Sequence, residues 1–279
     1  MLIAITFNLI SERDTILPAH LGRAHYAETL QRLGAASPAL AVQIHDGDGP
    51  KPLTCSGLIG ARVRQDGSQI EAGRSYAVRV TGLTRTVSET LAGIMLDNPP
   101  ESLTLAHHTF RVERAECDAS ANPWTGRIAY DELAAHYLVS ADNFARMVPL
   151  HFASPVTFKS QSMNIPIPLP NLVFGSLVDR WNAFSPVAIS PEMRRFGEAL
   201  VAISRYRLVS KAIAHSDGSL RIGGVGHVTY RSLSGDRYWL GVMQMLGDFA
   251  FYSGVGALTT VGFGQTRRAA IQARTANKE

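Results

Sequence analysis

LIAITFNLI at residues 2–10, followed by AHLGRAHYAETLQRLG at 19–34, opens the order of elements on which the fold depends. The first stretch is apolar and β-rich and reads as a strand. The second reads as a helix: Pro18 stands near its start, Gly34 at its end, and Tyr26, Leu30 and Leu33 recur at i, i+4 and i+7 on one face. Working outward, residues 40–44 read as a short strand and HDGDGPK at 45–51 as a glycine-rich turn. Hairpin-like strands are expected around 53–63 and 75–82. Val87, Leu91 and Ile94 mark a second helix, stopped by Asn98-Pro99-Pro100, and residues 103–112 alternate as a strand. Strand, helix, two strands, helix, strand is the order of a ferredoxin-like unit, an antiparallel sheet with one face under two helices.

CDASANPWTG at 117–126 is small, polar and turn-rich, and reads as a linker. After a short helix at 131–137 the same order returns without sequence repetition. Residues 151–158 form a strand and 159–170 a proline-rich loop. Val173, Leu177, Trp181 and Phe184 line one face of a helix over 171–184. Strands lie within 199–214 and 221–232, and Trp239, Val242, Met243, Leu246, Phe249 and Ala250 form a helical stripe. A last strand lies within 263–270, and residues 271–279 fray. The expected fold class is therefore α+β, two tandem ferredoxin-like (RRM-like) βαββαβ domains covering residues 1–118 and 119–279.

The 279 residues carry 27 Lys+Arg against 23 Asp+Glu, a net charge of +4 that permits a polyanionic partner without demanding one. An apolar share of 46% excludes a disordered chain. Two cysteines, Cys55 and Cys117, exclude a disulfide scaffold and a four-cysteine zinc site. His20 and His25 are five apart rather than at the spacing of a helical metal pair, and His107-His108 would point to opposite faces of a strand. No metal or cofactor is expected. The apolar opening has no basic start, and the stretch at 238–264 is broken by Asp248 and glycines, so a soluble, cytoplasmic protein with no membrane partner is expected.

Eleven of the 24 glycines lie between residues 218 and 264, which marks where the backbone turns tightly or approaches something closely. Gly254-Val-Gly256-Ala-Leu-Thr259-Thr260-Val-Gly262-Phe-Gly264 is the densest run. A dinucleotide fingerprint would need glycine at 259 and a helix after it, and neither condition holds. Two readings stand. Gly254 caps a helix and Gly262 and Gly264 pack under a neighbour. Alternatively, loop N–H groups with the Thr259 and Thr260 hydroxyls hold phosphates, helped by Arg267 and Arg268.

GGVGHVTY at 223–230, the helix after it and SGVGALTTVGFGQ at 253–265 together resemble the C-terminal signature of the CRISPR repeat-RNA (pre-crRNA) processing endoribonucleases of the RAMP superfamily. FASPVTFK at 152–159 and HDGDGPKPLTCS at 45–56 are similar to further segments of that family. The resemblance implies a metal-independent endoribonuclease whose histidine and lysine, six residues apart, correspond to His45 and Lys51. Some members add a tyrosine from the first helix. That position is Leu30 here, with Tyr26 one turn earlier, and His20 is a further catalytic candidate. Composition alone makes His45 a solvated loop histidine; the resemblance makes it a proton carrier, suited by an ordinary pKa of about 6.5. Lysine would offset charge on the phosphorane as the 2′-OH attacks, leaving a 2′,3′-cyclic phosphate and a 5′-OH. The implied partner is CRISPR repeat RNA, held by Gly254, Gly256, Thr259, Thr260, Gly262, Gly264, Arg267 and Arg268. Arg23, Arg32, Arg180, Arg194, Arg195 and Arg231 are further backbone candidates. The chain would act as a monomer or homodimer. The alternative is a non-catalytic guide-RNA-binding subunit among other CRISPR effector subunits.

Overall fold

The computed structural model describes residues 1–139, 144–214 and 220–270; the frayed tail expected at 271–279 lies outside them. The fold is α+β with two tandem ferredoxin-like units. In the first, the strands Leu53–Cys55, Ser75–Gly82, Leu2–Ile10 and His108–Glu116 lie side by side in that order, all antiparallel. In the second the order is Val201–Ala214, Leu220–Ser232, Met147–Val156 and Thr266–Arg268. Counted along the chain, both sheets run second, third, first, fourth.

Period-two alternation decides which face each strand buries. Ile3, Ile5, Phe7 and Leu9 share one core with Leu21 and Leu33 of the helix region at Gly22–Ala36 and with Val87 and Leu91 of the helix Arg85–Ala92. Leu2 joins a second core instead, where Val148, Leu150, Phe152, Val228 and Tyr230 pack against the helices Pro170–Phe184 and Arg237–Ser253. The strand Gly126–Ile128, which follows the linker, pairs back onto Leu2–Ala4 of the first sheet. Among the described residues no helix is long and apolar enough to cross a membrane.

Several local expectations are corrected. Residues 40–44 are not a strand but the body of the helix Pro38–Asp46. Pro38 sits in its first turn with φ already suited to a helix, and Leu40 and Ile44, four apart, bury one side. His45 and Asp46 accordingly belong to a helix end, and the turn begins at Gly47. Residues 103–112 are a hairpin, Ser102–Leu105 against His108–Glu116, whose turn places Ala106 and His107 at φ 48° and 68°. His107 is thus a turn residue, while His108 is buried with Nε2 2.8 Å from Ser11 Oγ. The helix Met193–Leu200 was not expected, although Met193, Phe196 and Gly197 are its buried positions. Two small ladders also appear, Phe158–Ser160 with Met163–Ile165, and Thr15–Leu17 with Gly67–Ile70 and Arg62–Arg64.

Candidate active site and nucleic-acid interface

His45 and Lys51 meet on one exposed turn. Gly47 caps the helix Pro38–Asp46, and Gly49 at φ 81° turns the chain back. The Lys51 Nζ donates to the His45 carbonyl at 3.0 Å and to the Gly47 carbonyl. A cation on the last carbonyls of a helix satisfies acceptors that have no helical donor. The His45 side chain is exposed. The Lys51 ammonium thus lies against the backbone of His45, whose imidazole is open to a large substrate.

The glycine segment has a different position from the one expected. Gly254, Gly256, Gly262 and Gly264 adopt φ of 62°, 78°, 97° and 68°, a region natural only to glycine. All four are buried, as is Thr259. The N–H groups of residues 254 to 257 bond to Ala250 O, Gly264 O, Ser176 Oγ and Thr157 O, and that of Gly264 to Pro155 O. Those donors are spent inside the protein, so the phosphate role expected of Gly254, Gly256, Gly264 and Thr259 is not what the geometry provides. The first reading, a helix cap and close packing, describes them. Thr260 is partly exposed. Gly262 sits against the first domain, bridged to Ser56, where an added Cβ would lie 2.8 Å from His20 Cε1.

His20 belongs to this contact. Its Nε2 donates to Val261 O at 2.6 Å, and its ring meets Phe263 edge-on. The structure thus brings His20 to the glycine segment, while His45 stands at the end of the following helix. Tyr26 is partly buried and burial raises its pKa; Leu30 packs against the first core. His25 is buried with Nδ1 2.9 Å from Ser56 O, and burial lowers its pKa to about 4. Burial pushes the Cys55 thiol up to about 12, against the opposing effect of its hydrogen bond to Thr29 Oγ1. Neither is poised for chemistry.

The arginines divide sharply. Arg180 donates to Ser253 O, to Thr259 Oγ1 at 2.8 Å and to Gly256 O, and so builds the glycine segment. Arg268 is bound by Asp248 and by Gln244 of the helix Arg237–Ser253. It points to the core side, a correction to its expected role in RNA binding. Arg32 is paired with Glu28, and Arg194 with Asp179. Arg267, one residue earlier, takes the opposite face and lies 4.8 Å from the Trp124 ring. Arg79, only 2% exposed, holds the two halves together: its guanidinium donates to Trp124 O, Gln265 Oε1 and Phe251 O at 2.7–2.8 Å. Its burial without a carboxylate lowers its pKa to about 9.

The open face of the second sheet is the feature that sequence reasoning missed. Register aligns Arg207 with His227, His227 with His151 and His151 with Arg267 across all four strands. Arg205 lies beside this row, and the face borders a groove of about 990 Å³. The alternation of Val148, Leu150 and Phe152 against Pro149 and His151 was legible as in–out patterning; the partner residues depend on register, which a single sequence does not contain. A basic, open sheet with histidines and a nearby tryptophan is suited to an RNA strand.

Residues 150–266 match the family model of the CRISPR-associated endoribonuclease Cas6. Among solved structures, the product complex of Cas6 (TTHA0078) is 25% identical with a TM-score of 0.76, covering 96% of this chain and 99% of that one. The product complex of the Thermus thermophilus Cas6 (TTHB231) has 24% identity, a TM-score of 0.78 and the same coverage. A RAMP protein binding different RNA substrates shares the fold at 12% identity and a TM-score of 0.61, over 96% of this chain and 100% of that one. No curated protein matches the sequence. Residues 150–266 thus match the model of the CRISPR-associated endoribonuclease Cas6, and the two-domain fold is similar to that of the solved Cas6 structures.

Proposed function

We propose that the chain cuts CRISPR precursor RNA within its repeats, without a metal, using the ribose 2′-OH as nucleophile. The observation that carries this is the pairing on one exposed turn: Lys51 Nζ is 3.0 Å from the carbonyl of His45. His45 takes the 2′-OH proton or returns one to the departing 5′-oxygen. Lys51 swings from the helix-end carbonyls to the phosphate, where an ammonium offsets the charge of the phosphorane. The products are a 2′,3′-cyclic phosphate and a 5′-OH.

His20 acts as a positioning residue, because its Nε2–H is already given to Val261 O. RNA is held on the basic face of the second sheet through Arg205, Arg207 and Arg267, with Thr260 at the partly exposed point of the glycine segment. The boundary near residue 118 separates a domain that cuts from one that grips. Labelled repeat RNA incubated with the protein in EDTA tests the proposal. Cleavage to a cyclic-phosphate end supports it, and cleavage only after magnesium is added contradicts it. Leu30 in place of tyrosine favours one other reading, a guide-RNA-holding subunit, which would bind the same RNA and leave it intact.

A further inference from the structure

We propose that His151 and His227, with Arg207 and Arg267 at the ends of their row, form a phosphate-binding site for RNA whose hold depends on imidazole protonation. The site rests on the RNA function proposed above and adds a regulating variable to it.

The two imidazoles stack with centroids 4.3 Å apart and planes 7° apart. The register pairs His151 with both His227 and Arg267, and His227 with Arg207. Their face is the one turned away from the helices, because Leu150, Phe152 and Val228, their sequence neighbours, are buried in the core. Gly226 keeps the row close: it adopts φ 135°, and a Cβ there would lie 2.1 Å from Arg207 O. The groups facing the pair are cationic or neutral. Arg205 and Arg207 come from the strand Val201–Ala214, Thr229 from Leu220–Ser232 and Arg267 from Thr266–Arg268. Arg268, on that last strand, is neutralised by Asp248 from the helix side. Among the described residues lining the groove there is no carboxylate.

Two stacked rings between guanidiniums resist becoming cations together. His151 already lies below its ordinary pKa, through burial first, then the neighbouring His227 and Arg267. A phosphate seated over the row removes the penalty, since each protonated ring gains a charge-assisted hydrogen bond to an anionic oxygen. RNA binding therefore takes up protons. The bound-state pKa of His151 exceeds its free-state one, so affinity is highest below it and falls as pH rises through the bound-state value. A row of four arginines would hold RNA at any pH. The histidines make this grip adjustable within the ordinary range of imidazole titration.

The test is fluorescence anisotropy of labelled repeat RNA at constant ionic strength from about pH 5.5 to about pH 8, the window in which imidazole changes charge. The wild type is expected to bind about tenfold more tightly at the acid end. The double variant His151→Gln, His227→Gln should show a nearly flat profile, although His20, His45, His107 and His136 remain in it. NMR of the wild type gives a second readout that needs no variant to fold: the pKa of His151 should rise when RNA is added. A flat wild-type profile, or a double variant that keeps the wild-type slope, overturns the proton-linked site while leaving RNA cleavage standing. Absence of RNA binding at every pH overturns both.

Discussion

The Nε2–H of His20 donates to the carbonyl of Val261 at 2.6 Å, joining residues 241 positions apart. Val261 O also lies 2.1 Å from where a Cβ on Gly22 would stand, so the start of the first helix touches the glycine segment directly. Gly22→Ala should force these elements apart, destabilising the protein by about 2–3 kcal/mol in urea unfolding. His20→Ala loses one hydrogen bond and should cost about 1 kcal/mol. Its single-turnover cleavage rate should fall far less than that of a His45 variant. Equal losses for the two histidines would make His20 a proton carrier and refute its positioning role.

Arg79 joins the halves through three hydrogen bonds, to Trp124 O, Phe251 O and Gln265 Oε1. Its guanidinium also lies 4.5 Å from the Phe251 ring centroid. Arg79→Ala strands the buried Gln265 Oε1 and two part-buried carbonyls, with a buried acceptor worth about 1–3 kcal/mol. A loss of at least about 3 kcal/mol is expected, with the two halves no longer unfolding in one transition. A loss below about 1 kcal/mol would show that the buried cation does not hold the interface.

His25 ties acid stability to one residue. It is buried and its pKa falls to about 4, against an unfolded value near 6.5. Between those values the unfolded chain binds the extra proton, so stability rises with pH across the window. The contribution is complete above about pH 6.5 and is lost as pH falls toward 4. Unfolding free energies from urea titrations at about pH 7 and about pH 4.5 should differ by about 2.5 kcal/mol more in the wild type than in His25→Gln. Equal pH dependence in the two proteins would contradict the assignment.

RNA affinity should fall steeply with salt. If RNA lies on the open sheet as proposed, Arg205, Arg207 and Arg267, with the exposed Arg231, would make about four phosphate contacts. A log–log slope near −3 is expected, and Arg207→Ala should reduce its magnitude by about 0.7. Arg268→Ala should leave the slope unchanged and lower stability instead, because its partners are Asp248 and Gln244. The reverse pattern would place the wrong arginine on the RNA face.

The order of strands and helices was legible because periodicity is local. Leu2–Ile10 alternates, and the stripe from Trp239 to Ala250 has helical spacing. Residues 40–44 are short enough to read as a strand, but Pro38 at the helix start and the Leu40–Ile44 spacing belong to a helix. Arg267 and Arg268 could not be told apart by charge; strand parity separates them. Arg79 was not singled out, because a buried arginine without a carboxylate has no sequence signature. The His151–His227 row was out of reach for another reason: its members lie 76 positions apart and meet only through register. Likewise the glycine run announced a close backbone approach, but only the fold reveals the neighbours: Thr157, Val255 and Thr259 for most of it, His20 and Gly22 at its Val261–Gly262 end.

Cleavage and binding of labelled repeat RNA in EDTA, measured side by side for the wild type and His45→Ala, bear most directly on the role proposed for the His45–Lys51 turn. The wild type should release a fragment ending in a 2′,3′-cyclic phosphate. His45→Ala should bind the RNA within about twofold of the wild type and cut it at least about 100-fold more slowly. Undiminished cutting by His45→Ala would contradict the account.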